Sequence, residues 1–216
     1  MVPVVSIVGC SGCGKTTLIC QILPVLAARG RRVAVIKHHH EDFEIDHEGK
    51  DSFRFAEAGA ATVMIASPTK TALVRRAEPE PSLDELVASF APDVDLVITE
   101  GFKLANAPKI EVWRQSQPDP TIVCCGDPTW IALVADFPHD VDVPVLDLNS
   151  PEQVVDFIEN RVMKKGPRQK TQLLVNGRRI PINAYVADML AGVARGAVST
   201  LKGAEEPRRI LLRIDE

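Results

Sequence analysis

Short apolar runs and amphipathic segments alternate along the first 160 residues of the chain. Val4–Val8 is a nearly continuous apolar run, typical of a strand buried on both faces of a parallel sheet. Apolar residues then recur at helical spacing from residue 16 to about residue 28, although Pro24 should kink or shorten this helix. A second run at residues 32–36 completes a strand–helix–strand unit, whose crossover should be right-handed. The pattern predicts an α/β fold with a mostly parallel sheet flanked by helices.

Further elements follow along the main part of the chain. Two β-rich runs at residues 61–66 and 71–75 predict a hairpin, and Ser82 with Glu85 forms a capping box that opens a helix. Ser150 and Pro151 introduce a later helix that should close the main domain. Additional buried strands are predicted at residues 95–99, 110–113, 131–134 and 143–146.

The pattern changes after residue 163. Residues 164–170 are polar and contain a Gly-Pro pair, which is typical of a linker. Beyond them, two apolar runs flank Asn176-Gly177, a strong hairpin signal; Asn183 can cap an amphipathic helix, and apolar residues alternate over 210–214. Such a small unit is marginal alone, so it should dock on the main domain or on a second subunit. We therefore expect a P-loop domain over residues 1–163, a linker over 164–170 and a small ββαβ module over 171–216.

Composition and charge exclude several classes of protein. The chain has 216 residues, 45% of them hydrophobic, but no run approaches the roughly 18 apolar residues of a membrane helix. Without signal-peptide features, a cytoplasmic protein that uses no membrane is expected. Residues 1–160 carry 13 Lys and Arg against 24 Asp and Glu, whereas residues 161–216 carry 12 against 5. The acidic main part argues against nucleic acid as the principal partner.

The clearest chemical signal follows the first strand. The segment Gly9-Cys10-Ser11-Gly12-Cys13-Gly14-Lys15-Thr16 matches the phosphate-binding loop of P-loop NTPases, with a strand before it and a helix after it. Backbone N–H groups can cradle phosphates, Lys15 can reach the β and γ oxygens, and the Thr16 hydroxyl can hold Mg²⁺. Cys10 and Cys13 have metal-ligand spacing but occupy variable positions of this motif. The predicted contacts to a nucleoside triphosphate are Gly12, Cys13, Gly14, Lys15, Thr16 and Thr17.

Acids at two strand ends extend this site. Glu100 ends the strand at residues 95–99, where it could stand near Mg²⁺; the alternative is a solvated turn residue. Lys15 and Glu100 are thus candidate catalytic residues, and Thr16 and Glu100 are candidate metal ligands. Lys103 could pair with Glu100 or with a phosphate. Asp136 could accept from the N–H groups of a guanine edge, or it is simply a turn aspartate.

A polar, histidine-rich loop follows the second strand over residues 37–49. Loops at that end of a parallel sheet commonly form active sites. Its histidines and aspartates would suit a transition metal, but consecutive residues rarely converge on one ion, so contacts to ligand or phosphate are favoured. The candidates are Lys37, His38, Asp46, Lys50 and Asp51.

Several segments together resemble the family of molybdopterin-guanine dinucleotide biosynthesis adaptor proteins, MobB. They are the P-loop, residues 36–40, Asp46 with residues 49–52, and residues 58–60, 99–103 and 131–136. The resemblance implies a dimeric P-loop GTPase that binds Mg-GTP, hydrolyses it slowly and assists the guanylyltransferase MobA in joining GMP to molybdopterin. Molybdopterin itself is then a second candidate ligand. The C-terminal module looks like an extension carried by longer members.

Two other functions fit the residues taken without this resemblance. A P-loop and a parallel sheet serve small-molecule kinases equally well. The histidine-rich loop would also suit a metallochaperone GTPase. The sequence therefore predicts a nucleotide-binding protein, with the adaptor role as the leading hypothesis.

Overall fold

A computed structural model describes residues 2–39, 43, 45, 47, 49–90, 94–116, 121–163, 171, 173–175, 178–202 and 210. The helices are α1 (Lys15–Ala28), α2 (Asp51–Glu57), α3 (Leu83–Phe90), α4 (Pro151–Ile158), which continues into a π-helical turn (Glu159–Met163), and α5 (Ala184–Ser199). The strands are β1 (Val4–Val8), β2 (Val33–Lys37), β3 (Thr62–Ala66), β4 (Thr71–Arg75), β5 (Leu96–Glu100), β6 (Lys109–Trp113), β7 (Trp130–Ala135), β8 (Val145–Asp147), β9 (Leu173–Val175) and β10 (Arg178–Ile180).

Six strands form a parallel sheet in the order β2-β5-β1-β6-β7-β8. The predicted α/β class with a parallel sheet is therefore confirmed. β1 lies between β5 and β6, with Ile7 opposite Glu100 on one side and opposite Ile110 on the other. Since the strands are parallel, the segments that follow β5 and β6 meet the loop after β1 at one edge of the sheet.

Helices cover both faces of this sheet. On one face, α1 and α4 bury apolar residues such as Leu18, Ile22 and Val155 against the strands. On the other face, Val87 of α3 packs against Val97 of β5. Burial on both faces explains why the central strands are nearly continuous apolar runs in the sequence.

Most local signals in the sequence have the predicted result. The Ser82 hydroxyl caps α3 by accepting from the Glu85 N–H, and it donates to the Glu85 carboxylate at 2.7 Å. Ser150 precedes α4 as predicted, but its side chain makes no capping hydrogen bond. Pro24 lies inside α1, which continues to Ala28, so the proline does not shorten the helix. Its missing N–H removes one helical hydrogen bond, and the packing of the helix on the sheet outweighs that loss.

Two smaller sheets stand apart from the main one. β3 and β4 form the predicted antiparallel hairpin, and β9 and β10 form another in the C-terminal module. β10 contacts α3, and the Asn183 side chain caps α5 by accepting from the Val186 N–H at 2.9 Å. The predicted linker lies outside the described residues. Of the predicted last strand, the structure describes only Ile210, which belongs to no strand.

Candidate functional site

The loop between β1 and α1 has a backbone that only glycine accepts easily. Gly9, Gly12 and Gly14 have φ angles of 136°, 76° and 100°. A Cβ at Gly9 would lie 2.5 Å from the Val112 carbonyl oxygen, so a side chain there would collide with β6. Gly14 is the N-cap of α1, and the first turn of α1 contains no acidic residue. The positive end of the helix therefore faces the loop, and no acidic residue of the helix's own first turn neutralises it.

Two side chains of the loop point in different directions. The Lys15 ammonium donates to the carbonyl oxygens of Cys10, at 2.6 Å, and Gly9, at 3.2 Å, which holds it over the loop. The Cys13 side chain is buried in the main core, and burial raises the pKa of its thiol. Cys13 can therefore contribute to phosphate binding through its backbone N–H, and its sulfur remains a core atom.

Thr16 and Glu100 meet across the edge of the sheet. The Thr16 hydroxyl lies 3.0 and 2.9 Å from the two carboxylate oxygens of Glu100. They meet because β1 and β5 are neighbouring parallel strands, one leading to the P-loop and the other ending at Glu100. A hydroxyl and a carboxylate are hard oxygen donors of the kind that Mg²⁺ prefers. Both predicted metal ligands are thus brought together.

The end of β2 adds a cation and an imidazole. The Lys37 ammonium lies 3.6 Å from Glu100 Oε1, and the backbone N–H of His38 donates to the backbone carbonyl oxygen of Glu100 at 3.0 Å. The His38 ring is 2.7 Å from a Glu80 carboxylate oxygen and 4.6 Å, between ring centroids, from Phe102. Lys37 and His38 therefore lie beside Glu100, and their predicted contacts to ligand or phosphate stay a prediction.

Backbone strain accumulates next to this cluster. Gly101 has a φ of 95°, and a Cβ there would lie 3.3 Å from the His38 Cβ. Phe102 follows with a φ of 56°, which is uncommon for a residue other than glycine. Strained residues of this kind concentrate at functional sites. The turn at Gly101 and Phe102 therefore places the Phe102 ring beside the His38 ring, next to Glu100.

Other predicted site residues are placed less closely or fall outside the description. Asp46 lies outside the described residues, and Asp51 is 3.7 Å from Arg54 within α2. Lys50 is the N-cap of α2. Lys103 is exposed, and the ammonium close to Glu100 in the described part of the chain is that of Lys37.

The predicted guanine reader, Asp136, lies at the end of β7. Its carboxylate accepts from the Gln115 N–H at 2.9 Å, which ties the ends of β6 and β7 together. The side chain is exposed and a carboxylate has acceptor capacity beyond one hydrogen bond. The structure therefore shows Asp136 in a hydrogen bond that joins two strand ends, and its contact with guanine stays a prediction.

Buried charges support the loop at residues 121–129. Lys109 is 3% exposed and its ammonium lies 2.9 Å from the Asp127 carboxylate. The hydrogen bond from Lys109, with others from Thr129, lowers the pKa of Asp127 from 3.8 to about 2. The buried Glu111 carboxylate accepts from the N–H groups of Val123 and Cys124. Burial, followed by the charge of Glu111, raises the pKa of the Cys124 thiol to about 12, so this thiol is not a nucleophile at neutral pH.

Sequence reasoning missed three residues at the site. Glu80 contacts His38 from the segment after β4, and Phe102 packs on the same ring. Arg114, the residue after β6, lies against Gly14 of the P-loop. Phe102 lies in the segment 99–103 that carries the family resemblance, but no motif marks Glu80, and only its position at a strand end could have suggested Arg114. Within the described residues, no group of three or more His, Cys, Asp or Glu side chains could hold a metal ion.

A strand, a glycine-rich loop and a helix, with a hydroxyl and a carboxylate meeting beside them, define a P-loop nucleotide-binding fold of the α/β class. Comparison with known proteins identifies one family within this class. Residues 4–136 match the family model of molybdopterin guanine dinucleotide synthesis protein B, and the chain belongs to that family. The match confirms the predicted role in molybdenum cofactor biosynthesis.

Individual relatives agree with this assignment. The molybdopterin-guanine dinucleotide biosynthesis adapter protein of Haemophilus influenzae is 41% identical over 162 residues, which cover 74% of this chain and 89% of that one. The adapter protein of Escherichia coli is 36% identical, covering 76% and 96%. A crystal structure of molybdopterin-guanine biosynthesis protein B is similar with a TM-score of 0.59 and 35% identity, covering 73% and 98%. A relative from Methanocaldococcus jannaschii, 27% identical, covers 98% of this chain and therefore most of the C-terminal module.

In the described part of the chain, no helix is both long and apolar enough to cross a membrane.

Proposed function

We propose that this protein binds Mg-GTP in the cytoplasm and acts as an adaptor to a MobA-like guanylyltransferase that converts molybdopterin to its guanine dinucleotide form. The observation that carries the proposal is the contact between Thr16 and Glu100, at 2.9 and 3.0 Å, directly beside the P-loop. Family membership supports the role in molybdenum cofactor biosynthesis, and this contact supports the binding of Mg²⁺ beside the P-loop. A nucleotide with its metal is the ligand that both features support.

Each residue of the site has a role in holding that ligand. The N–H groups of residues 12–16 and the positive end of α1 bind phosphate oxygens, and Lys15 adds a positive charge. Thr16 and Glu100 would hold Mg²⁺, which neutralises phosphate charge when bound. The Lys37 ammonium lies 3.6 Å from Glu100 Oε1 and balances its charge. Nothing in this set resembles a strong general base with a poised nucleophile, so slow GTP hydrolysis is the activity that fits best.

Guanine selection is assigned to Asp136 at the end of β7. A carboxylate can accept both N–H donors of a guanine edge, whereas adenine offers no matching pair there. The sheet order places β7 two strands from β1, on the same edge as the P-loop. Comparing the affinities of wild-type protein and Asp136→Asn for GTP and ATP measures this role. Unchanged preference for GTP in the variant would contradict it.

The adaptor role is tested by reconstitution. Purified guanylyltransferase, molybdopterin and Mg-GTP are incubated with and without this protein, and the guanine dinucleotide cofactor is quantified. We expect the wild-type protein to raise the yield and Lys15→Ala to abolish the increase. The exposed Lys202 provides a matched control, since Lys202→Ala makes the same change away from the P-loop. No stimulation by wild-type protein, with an active partner enzyme, would refute the adaptor role.

The β3–β4 hairpin is the proposed interface of a homodimer. Met64 and Leu73 face each other across the hairpin and are 62% and 53% exposed. A two-stranded hairpin is marginally stable by itself, and an exposed apolar patch indicates an interaction site. A second copy is the simplest occupant, because a two-fold axis pairs one apolar surface with itself.

Light scattering of Leu73→Lys tests this interface. The variant should be monomeric at concentrations where the wild-type protein is a dimer. Val193 on α5 is also apolar and exposed, so Val193→Lys is the matched control. A monomeric wild-type protein would contradict dimerisation. If only Val193→Lys dissociated the dimer, the interface would lie on α5 and not on the hairpin.

A further inference from the structure

Arg114 lies against the P-loop because of the strand order. It directly follows β6, which pairs with β1, and β1 leads into the loop. A Cβ built at Gly14 would lie 3.0 Å from Arg114 Nε, 3.3 Å from Nη2 and 3.4 Å from Cζ. The guanidinium therefore occupies the space that a side chain at the N-cap of α1 would need.

The Nε atom of this guanidinium has no hydrogen-bond partner within the part of the chain that the structure describes. Arg114 Nε is buried and makes no hydrogen bond. The carboxylate of Asp136 accepts from the Gln115 N–H, and that of Glu100 accepts from the Thr16 hydroxyl. A buried donor without an acceptor destabilises a folded protein, so such groups call for a specific explanation. An anionic ligand bound at the P-loop would supply an acceptor.

The surroundings of Arg114 favour a phosphate over other anions. Arg114 lies at the N-terminal end of α1, where unpaired N–H groups already attract phosphate oxygens. Lys15 stands over the loop at Gly9 and Cys10, so the two cations contact different parts of it. A guanidinium is planar and can donate two parallel hydrogen bonds to a phosphate group, which an ammonium cannot.

We propose that Arg114 binds a phosphate group of the nucleotide held by the P-loop and acts as its second cationic contact. The proposal rests on the proposed nucleotide site and adds a residue to it. Arg114 fixes the position of the phosphate chain between β1 and β6, on the side of the P-loop opposite to Glu100. It is a ligand-binding residue, and the folded protein without ligand does not depend on its charge.

Calorimetric titration with two probes tests the proposal. Inorganic tripolyphosphate and GTP, each with Mg²⁺, are titrated into wild-type protein, Arg114→Met and Arg114→Lys. Arg114→Met should lower the affinity for both probes by about 10-fold or more. Arg114→Lys should recover part of this affinity, since lysine keeps the positive charge but lacks the two parallel N–H donors of the guanidinium. The exposed Arg54 gives the matched control Arg54→Met, which should change neither affinity.

Thermal unfolding without ligand distinguishes a role of Arg114 in ligand binding from a role in the stability of the folded protein. Arg114→Met should unfold at the wild-type temperature or above it, because the substitution removes an unpaired buried donor. A lower unfolding temperature with unchanged affinities would overturn the proposal in favour of a structural role. Weaker binding of GTP with unchanged binding of tripolyphosphate would also overturn it, since Arg114 would then contact the base or the ribose. If Arg114→Met does not fold, the same comparisons apply to Arg114→Lys.

Failure of the proposal for Arg114 can be distinguished from failure of the proposed function. Wild-type protein that binds GTP and stimulates the guanylyltransferase, with Arg114→Met equal to it in both affinities, would refute the role of Arg114 alone. Wild-type protein that does not stimulate the guanylyltransferase, while Arg114→Met weakens both probes, would refute the adaptor role alone.

Discussion

Glu100→Gln tests whether the carboxylate beside the P-loop serves Mg²⁺. The substitution keeps the shape of the side chain and an oxygen that can accept from Thr16, but it removes the negative charge. Glu100 is only 13% exposed and receives the Thr16 hydroxyl at 2.9 and 3.0 Å. The variant should therefore fold, and its defect should appear in the dependence of GTP binding on Mg²⁺.

The effect on stability is small by calculation. At 3.6 Å and an effective dielectric constant of about 20, the attraction between Glu100 and Lys37 is about 4 to 5 kcal/mol before desolvation. Since the Lys37 side chain is 55% exposed, solvent reduces the net value to at most about 1 kcal/mol. Exchanging a charged for a neutral acceptor at Thr16 costs about 1 kcal/mol more. The free energy of unfolding should thus fall by about 1 to 2 kcal/mol, or a few degrees in Tm.

The effect on metal affinity should be larger. Changes in the shell around a bound metal typically cost about 10- to 100-fold in affinity. Binding of a fluorescent GTP analogue is measured over a range of MgCl₂ concentrations and in EDTA. Glu100→Gln should require about 10- to 100-fold more Mg²⁺ for half-maximal enhancement. Glu152→Gln, the same change at an exposed acid of α4, is the control, and equal Mg²⁺ dependence in wild-type protein and Glu100→Gln would refute the reasoning.

Two further substitutions test local energetics around the site. The pKa of Asp127 is lowered from 3.8 to about 2, so its stabilisation is present above about pH 4 and is lost as the pH falls towards 2. Asp127→Asn should therefore lower the free energy of unfolding in urea by about 1 to 2 kcal/mol at pH 7, allowing for partial exposure, and by much less near pH 2; a difference independent of pH would contradict this. Gly101→Ala should cost about 1 to 2 kcal/mol for its positive φ, plus a contribution from the 3.3 Å contact with His38. Gly59→Ala has a similar φ of 102° with open space around it, so equal Tm values for the two variants would show that the contact contributes nothing.

Local signals determined much of the fold from the sequence alone. The strand, glycine loop and helix at the N-terminus, the capping box at Ser82 and the cap at Asn183 depend on residues within a few positions of one another. Their hydrogen bonds and backbone angles are properties of short segments, so spacing and residue type are sufficient to predict them. Where longer-range packing intervened, as at Pro24, prediction from local preference was less accurate.

The composition of the site was decided by tertiary structure. The order β2-β5-β1-β6-β7-β8 places Glu100 on one side of the P-loop and Arg114 on the other, and it brings Lys37 close to Glu100. Parallel strands pair across long stretches of chain, and no feature within one strand specifies its neighbour. The sequence by itself therefore determined that a phosphate loop is present and roughly which acid serves it. That Lys37 lies beside Glu100, and Arg114 beside the loop, followed only from the pairing of strands distant in the chain.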